Sequence, residues 1–189
     1  MCSKDFQFKS VGETFMAAII RVGMKIVVFG ALLLVGSTTG WSQDAVPAQL
    51  TPPAGEKLVL QAHGKGDQVY TCKKTGQQYA WTLKEPQAEL LDDQNKVIGH
   101  HYIGPTWVLN DGSQVVGKVV AKVDSPDSIP WLLLSAGGHA GKGTFSAVTS
   151  IQRLHTKGGK APASGCDAGH ENNESRVSYT ADYLFYAKP

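Results

Sequence analysis

The sequence predicts an all-β protein, an antiparallel β-sandwich or barrel of about eight or more short strands, preceded by an N-terminal signal peptide. Three observations carry that reading. Short runs rich in β-branched and aromatic residues alternate apolar with polar positions. Turn signals interrupt them at short intervals, and 21 Gly and 9 Pro spread over 189 residues leave little room for long helices. No internal repeat and no strand–helix alternation occurs, which argues against a nucleotide-binding α/β fold.

The chain opens on a processing signal. Arg21 and Lys25 precede an uninterrupted apolar run from Ile26 to Gly36, followed by small and polar residues through Ser42. A membrane-spanning helix needs about 20 apolar residues, so the run suits a cleaved secretory signal better than an anchor. Gly40 and Ser42 fit the small positions of a cleavage site, giving a leader of residues 1–42 and a mature start at Gln43. Met24-Lys25 is the more usual initiator for so short a signal. No Cys follows the apolar run to take a lipid, so a released, secreted or periplasmic protein with no stable membrane span is expected.

Composition excludes several classes. With 42% hydrophobic and 18% charged residues the chain is ordinary globular material, neither disordered nor fibrous. A formal charge of +2 is too small for binding nucleic acid through its phosphates, and removing the leader leaves a formally neutral domain. Cys2 falls in the leader, so Cys72 and Cys166 remain and are expected to pair in an oxidising compartment. Neither sits in the C-x-x-C spacing of a redox-active pair.

Residues 43–56, with Pro47, Pro52 and Pro53, read as an extended lead-in, and 57–189 as a single β-rich domain. Leu58–Ala62 and Val69–Cys72 flank His63-Gly64-Lys65-Gly66-Asp67, which reads as a hairpin turn. Gln78–Leu83 alternates strictly and places Tyr79, Trp81 and Leu83 on one face of a half-buried strand. Ala88–Leu91 is another short piece, after which Asp92-Asp93-Gln94-Asn95 turns the chain. Two apolar runs, Val97–Leu109 and Gln114–Val123, flank Asp111-Gly112, a strong hairpin signal. In the second, Val115, Val119, Ala121 and Val123 share a core face, while Lys118 and Lys122 meet solvent. Trp131–Leu134 suits a strand covered on both sides, and Gly137–Gly143 reads as a loop. Phe145–Leu154 leans towards strand although it also fits a helical stripe. Lys157–Asn173 is a polar, Gly-rich loop held by Cys166. Arg176–Tyr186 closes the chain as a strand with Val177, Tyr179, Ala181, Tyr183 and Phe185 on one face.

Motifs for chemistry are sparse. Gly141-Lys142-Gly143-Thr144 fails the phosphate-loop pattern because Gly143 stands where a hydroxyl would hold magnesium, and it reads as a loop. His100 and His101 are adjacent on a strand and point to opposite faces, so they cannot chelate one ion together. Partners from His63, His139, His155 or Asp111 are not selected by any spacing, and neither a metal site nor a cofactor is expected. No G-x-S-x-G elbow occurs, and Ser113 reads as turn chemistry. Trp107, after Gly104-Pro105-Thr106, is the best candidate for an exposed recognition ring. His100, His101, Tyr102, Trp107 and Asp111 together form the expected ligand-binding segment. Asn173-Glu174-Ser175 matches a glycosylation sequon, relevant in a eukaryotic secretory pathway.

Val69-Tyr70-Thr71-Cys72, Ile98–Tyr102 with Gly104–Trp107, Asp111-Gly112-Ser113, Val116–Val119, Ile129–Leu134, Ile151-Gln152-Arg153 and Gly158–Pro162 occur in order. This series resembles the secreted bacterial and fungal proteins catalogued as domain of unknown function 3455, most closely the bacterial branch with its Tyr179–Tyr183 ending. The resemblance spans about Pro47 to Tyr186. It implies export and one compact domain, and it supplies no activity and no catalytic residues.

The function expected is therefore a non-catalytic small-ligand or glycan-binding or structural module. Two rivals stand beside it. One is a secreted hydrolase-like enzyme using a histidine and a carboxylate, such as His101 with Asp111, with or without a metal. The other is a cell-envelope protein-interaction module.

Overall fold

A computed structural model describes residues 45–189; the expected leader lies outside the described residues. Eight antiparallel strands follow one another around a closed barrel in sequence order. They are β1 (Lys57–Thr75), β2 (Gln78–Leu91), β3 (Val97–Tyr102), β4 (Thr106–Leu109), β5 (Gln114–Val123), β6 (Trp131–Ala140), β7 (Val148–Gly158) and β8 (Glu174–Ala187). The sheet closes where β1 pairs with β8 along Lys57↔Ala187 to Thr71↔Glu174. Closure resolves the choice between sandwich and barrel, and it gives every strand two neighbours, leaving no sheet edge to protect.

Not all strands are short. The expected turn at His63–Asp67 is instead the middle of β1, a single 19-residue strand. Its glycines serve close packing rather than chain reversal. A Cβ on Gly64 would lie 2.5 Å from the Tyr183 ring, and one on Gly66 would lie 2.1 Å from the Gln87 carbonyl. Likewise Gln78–Leu83 and Ala88–Leu91 are one strand, β2. Tyr79, Trp81 and Leu83 share one face of it, but only the first two are half-buried, Trp81 with its Nε1 donating to the Ser164 carbonyl (2.8 Å) of the loop after β7, whereas Leu83 is 51% exposed, against expectation. Register shifts at Val116/Gly117 and Val119/Ala121 break the alternation of β5, and Val119 faces solvent instead of the core.

The barrel interior is filled. Trp107, Tyr183, Phe185, Phe145, Leu90, Leu134 and Ile151 are buried in one cluster, as small barrels require. A second cluster of Leu50, Leu133 and Leu154 lies on the opposite face of the wall, with Trp131 and Leu184 packed against it. Leu50 belongs to a 3-10 turn, Ala48–Leu50, inside the segment expected to be simply extended. Gln152 Nε2 donates to the Leu50 carbonyl (2.6 Å) and ties that turn to β7. The apolar run Trp131–Leu134 is thus covered on both sides, as its composition suggests.

Two loop boundaries differ from the sequence reading. β6 runs on to Ala140 through residues expected to be loop, and Phe145 sits in a second 3-10 turn, Thr144–Ala147, before β7 begins. The turns at Asp92–Asn95 and Asp111-Gly112 form as read. Asp92 Oδ1 accepts from the backbone of Gln94 and Lys96 (3.0 and 2.9 Å), an Asx-type closure. Cys72 and Cys166 form a disulfide that anchors the 159–173 loop to β1.

Candidate functional site

The expected binding segment is divided by the barrel wall. His101 and Trp107 point inward and stack with ring centroids 4.4 Å apart, both essentially buried. Trp107 is therefore a core residue rather than an exposed recognition ring. Cross-strand pairing of His101 with Trp107 brings the two rings together, and the Tyr183 ring meets them edge-on. His101 Nδ1 donates to the Thr106 carbonyl (2.9 Å). Burial holds its pKa down at about 3, so it is a neutral packing group and not an acid–base catalyst at ordinary pH.

Asp111 is equally committed. Its Oδ1 accepts from the backbone and hydroxyl of Ser113 (2.8 and 2.6 Å), and its Oδ2 from the Thr144 backbone (2.9 Å). These donors, chiefly the Ser113 hydroxyl, hold its pKa down at about 2. The carboxylate fastens the β4–β5 turn to the 3-10 turn before β7, and no hydrogen bond joins it to His101. Tyr102 donates to Gln114 (3.1 Å), while His100 points outward. His100, His101 and Tyr102 line a groove of about 430 Å³ with Lys65 and Glu89, which Trp107 and Asp111 do not reach.

A different constellation lies on the outer wall of β7, β8 and β1. Asp182 on β8 is opposite His63 on β1, and His155 approaches from β7 beside it. His63 Nδ1 donates to Asp182 Oδ1 (2.7 Å) and His155 Nδ1 to Asp182 Oδ2 (2.8 Å). His63 Nε2 also reaches Asp93 of the β2–β3 turn (3.1 Å). With a carboxylate at each ring nitrogen, His63 is favoured as the imidazolium; the Asp182 bond is the chief cause of its raised pKa, opposed by partial burial. His155 sits at a register shift between Leu154 and Lys157, with φ of 48°, a left-handed conformation uncommon outside glycine. That kink turns its ring to Asp182 and sets it edge-on to Trp131, centroids 5.0 Å apart.

Two residues along each strand, the next rung repeats the pattern with different chemistry. Lys65 pairs with Thr180, and Thr180 with Lys157. All six side chains line one cleft of about 300 Å³, with Asn95 at its side. His155 and Lys157 also border a neighbouring concavity of about 410 Å³ that contains Trp131 and Asp124. The lysine rung continues through Glu89 to His100, so the sequence-chosen histidine stands at its far end.

Sequence reasoning missed this cluster for identifiable reasons. His63 and Lys65, like Thr180 and Asp182, have the i, i+2 spacing of one strand face, a readable signal that the supposed turn concealed. His155 and Lys157 share that spacing, but a local register shift sets where His155 falls on the sheet. Among the described residues no three His, Cys, Asp or Glu side chains are arranged to hold a metal ion.

A closed meander barrel with a packed interior can offer a ligand only its outer surface, and here that surface carries an ordered polar cleft. These features define a small β-barrel protein with a candidate recognition site on its wall. The chain belongs to the family described as protein of unknown function (DUF3455), whose profile matches residues 53–187, from just before β1 through the end of β8. No curated protein and no solved structure matches it.

Proposed function

We propose that this protein is a non-catalytic binding module that holds a small polar ligand of the saccharide type on the outer wall of β7, β8 and β1. The observation that carries this reading is the two-rung cleft, in which His155, Asp182, His63, Lys157, Thr180 and Lys65 converge. Ordered donors and acceptors beside an aromatic edge, here Trp131, match the hydroxyl-rich and apolar faces of a sugar. His100 and Glu89 extend the surface along the same rung. Export accords with the disulfide and with the apolar leader pattern of the sequence, and residues 57–189 act as the single binding domain. No helix among the described residues is long and apolar enough to cross a membrane.

The test is amide chemical-shift mapping of the exported protein against neutral and acidic oligosaccharides. Saturable shifts clustering around His155, Thr180 and Asp182, and lost in Trp131→Ala, are expected. Shifts confined to another face, or none with any saccharide, reject the reading.

One observation favours a second reading. Asp182 holds His155 through Nδ1 and, among the described residues, leaves Nε2 without a hydrogen-bond partner, the arrangement of a histidine–carboxylate acid–base pair. Among the described residues no serine or cysteine lines the cleft to serve as a nucleophile, so binding ranks first. Turnover of a bound saccharide that disappears in His155→Gln with binding retained would reverse the order.

A further inference from the structure

The charges in this cleft do not balance, and the imbalance identifies the class of ligand. Asp182 offers two carboxylate oxygens, and both are taken by imidazoles. Asp67, the next carboxylate along β1, is likewise committed: Oδ2 accepts from Arg176 (3.1 Å) and Oδ1 from Ser178 (2.9 Å). Asp93 accepts from His63. Glu89 stands across from Lys65 on β2, yet no ion pair joins them. Among the described residues Lys65 and Lys157 enter no ion pair or side-chain hydrogen bond, as holds for most of the lysines; what sets these two apart is that both line one cleft.

Lys65 and Lys157 flank a single hydroxyl. Lys65, Thr180 and Lys157 occupy neighbouring positions on three adjacent strands, all exposed on the outer face. Strands lie about 4.8 Å apart, which puts the two lysine backbones roughly 10 Å from each other. Their four-carbon stems can converge on one anion from either side while Thr180 donates from below. Like charges set this close, without a carboxylate between them, are unfavourable until an anion arrives. A concavity of about 480 Å³ with Ser178 and Asp67 continues the cleft beyond the lysine rung, giving room for more than one sugar ring.

Resting on the binding reading above, we propose that the ligand is an acidic saccharide whose anionic group is clamped between Lys65 and Lys157 over Thr180. The carboxylate of a uronic acid and a sulfate ester share this chemistry. The His63–Asp182–His155 rung then meets the hydroxyls of the same or the adjoining ring.

Calorimetric titration of the full mature protein decides the matter, with an oligouronate, its methyl ester, a neutral oligosaccharide and a sulfated oligosaccharide as probes. An acidic saccharide should bind at least about tenfold more tightly than the ester or neutral form, with affinity falling as salt rises. Lys65→Ala and Lys157→Ala should each weaken it about tenfold, and Lys84→Ala, which changes a lysine outside the cleft, should leave it unchanged. Both cleft lysines are exposed, and equal melting temperatures will show that the variants fold. Preference for uronate or for sulfate identifies the source of the anion, and either supports the proposal. Equal binding of neutral and acidic forms, insensitive to both lysines, overturns the clamp and leaves the saccharide reading standing. Binding of none of the probes overturns both, and binding only to anionic lipid vesicles replaces the saccharide with a membrane surface.

Discussion

At the scale of single residues, the histidines show how environment divides one side chain into opposite roles. His101 lies among aromatic rings and stays neutral, whereas His63 lies between two carboxylates, which favour its charged form and raise its pKa. In the unfolded chain both titrate near 6.5. His101 therefore binds fewer protons folded than unfolded between about pH 6.5 and about 3, and stability falls as pH drops through that window. The slope from one such group is about 1.4 kcal/mol per pH unit. His63 works in the other direction. Its contribution is complete below 6.5 and is lost as pH rises through its raised folded pKa, amounting to under about 1 kcal/mol because the ring is substantially exposed. Urea denaturation across pH should show maximal stability near 6.5 from this pair, with the alkaline decline removed by His63→Ala and the acid decline reduced by His101→Phe. Unaltered acid dependence in His101→Phe would contradict the buried neutral assignment. At this scale the sequence made the opposite faces of His100 and His101 legible through strand alternation. It did not reveal which of the two faced the core, since that depends on what packs across the sheet.

At the scale of the element, β1 is the most instructive. Its five-residue segment His63–Asp67 has the composition of a turn, yet the chain runs straight through it, paired with β2 and β8 on both sides. Glycine in a strand interior costs backbone entropy, so its presence needs a reason, and the reason is proximity. Tyr183 occupies the space beside Gly64, and the backbone of Gln87 and Ala88 occupies that beside Gly66. Alanine at the two sites separates a yielding neighbour from a rigid one. At Gly64 the obstacle is a ring, and Gly64→Ala should cost about 1–3 kcal/mol as the core shifts. At Gly66 the obstacle is main chain that cannot move without breaking ladder bonds, so Gly66→Ala should cost more than Gly64→Ala in the same denaturation series. Equal or reversed costs would show that the β1–β2 spacing is softer than the structure implies. The cleft depends on this straightness, because Lys65 and His63 face outward together only if β1 does not turn. Bulges explain other departures: Val119 and His155 each lie at a register shift that periodicity cannot anticipate.

For the whole molecule, the disulfide and closure act on the same problem, the ordering of a chain dominated by strand contacts between distant segments. Cys72 and Cys166 are 94 residues apart, so the bridge removes much of the freedom of the unfolded chain. Reduction, or Cys72→Ser with Cys166→Ser, should lower stability by about 4–5 kcal/mol, measured by urea denaturation, with a steeper slope as the released unfolded chain expands. A loss under about 1 kcal/mol would mean that the barrel alone orders the 159–173 loop. The sequence by itself determined the all-β class, most turns, the partnership of the two cysteines, the inward face of β8 and the family, because each is written in local periodicity, turn chemistry or ordered motifs. Only the tertiary structure decided that the sheet closes, that Trp107 and His101 lie inside, and that His63, His155 and Asp182 meet on the wall with Lys65, Lys157 and Thr180. Those facts depend on strand register between distant segments, 119 residues apart for His63 and Asp182, and register is fixed by packing and bulges across the whole barrel rather than by any stretch of neighbouring residues.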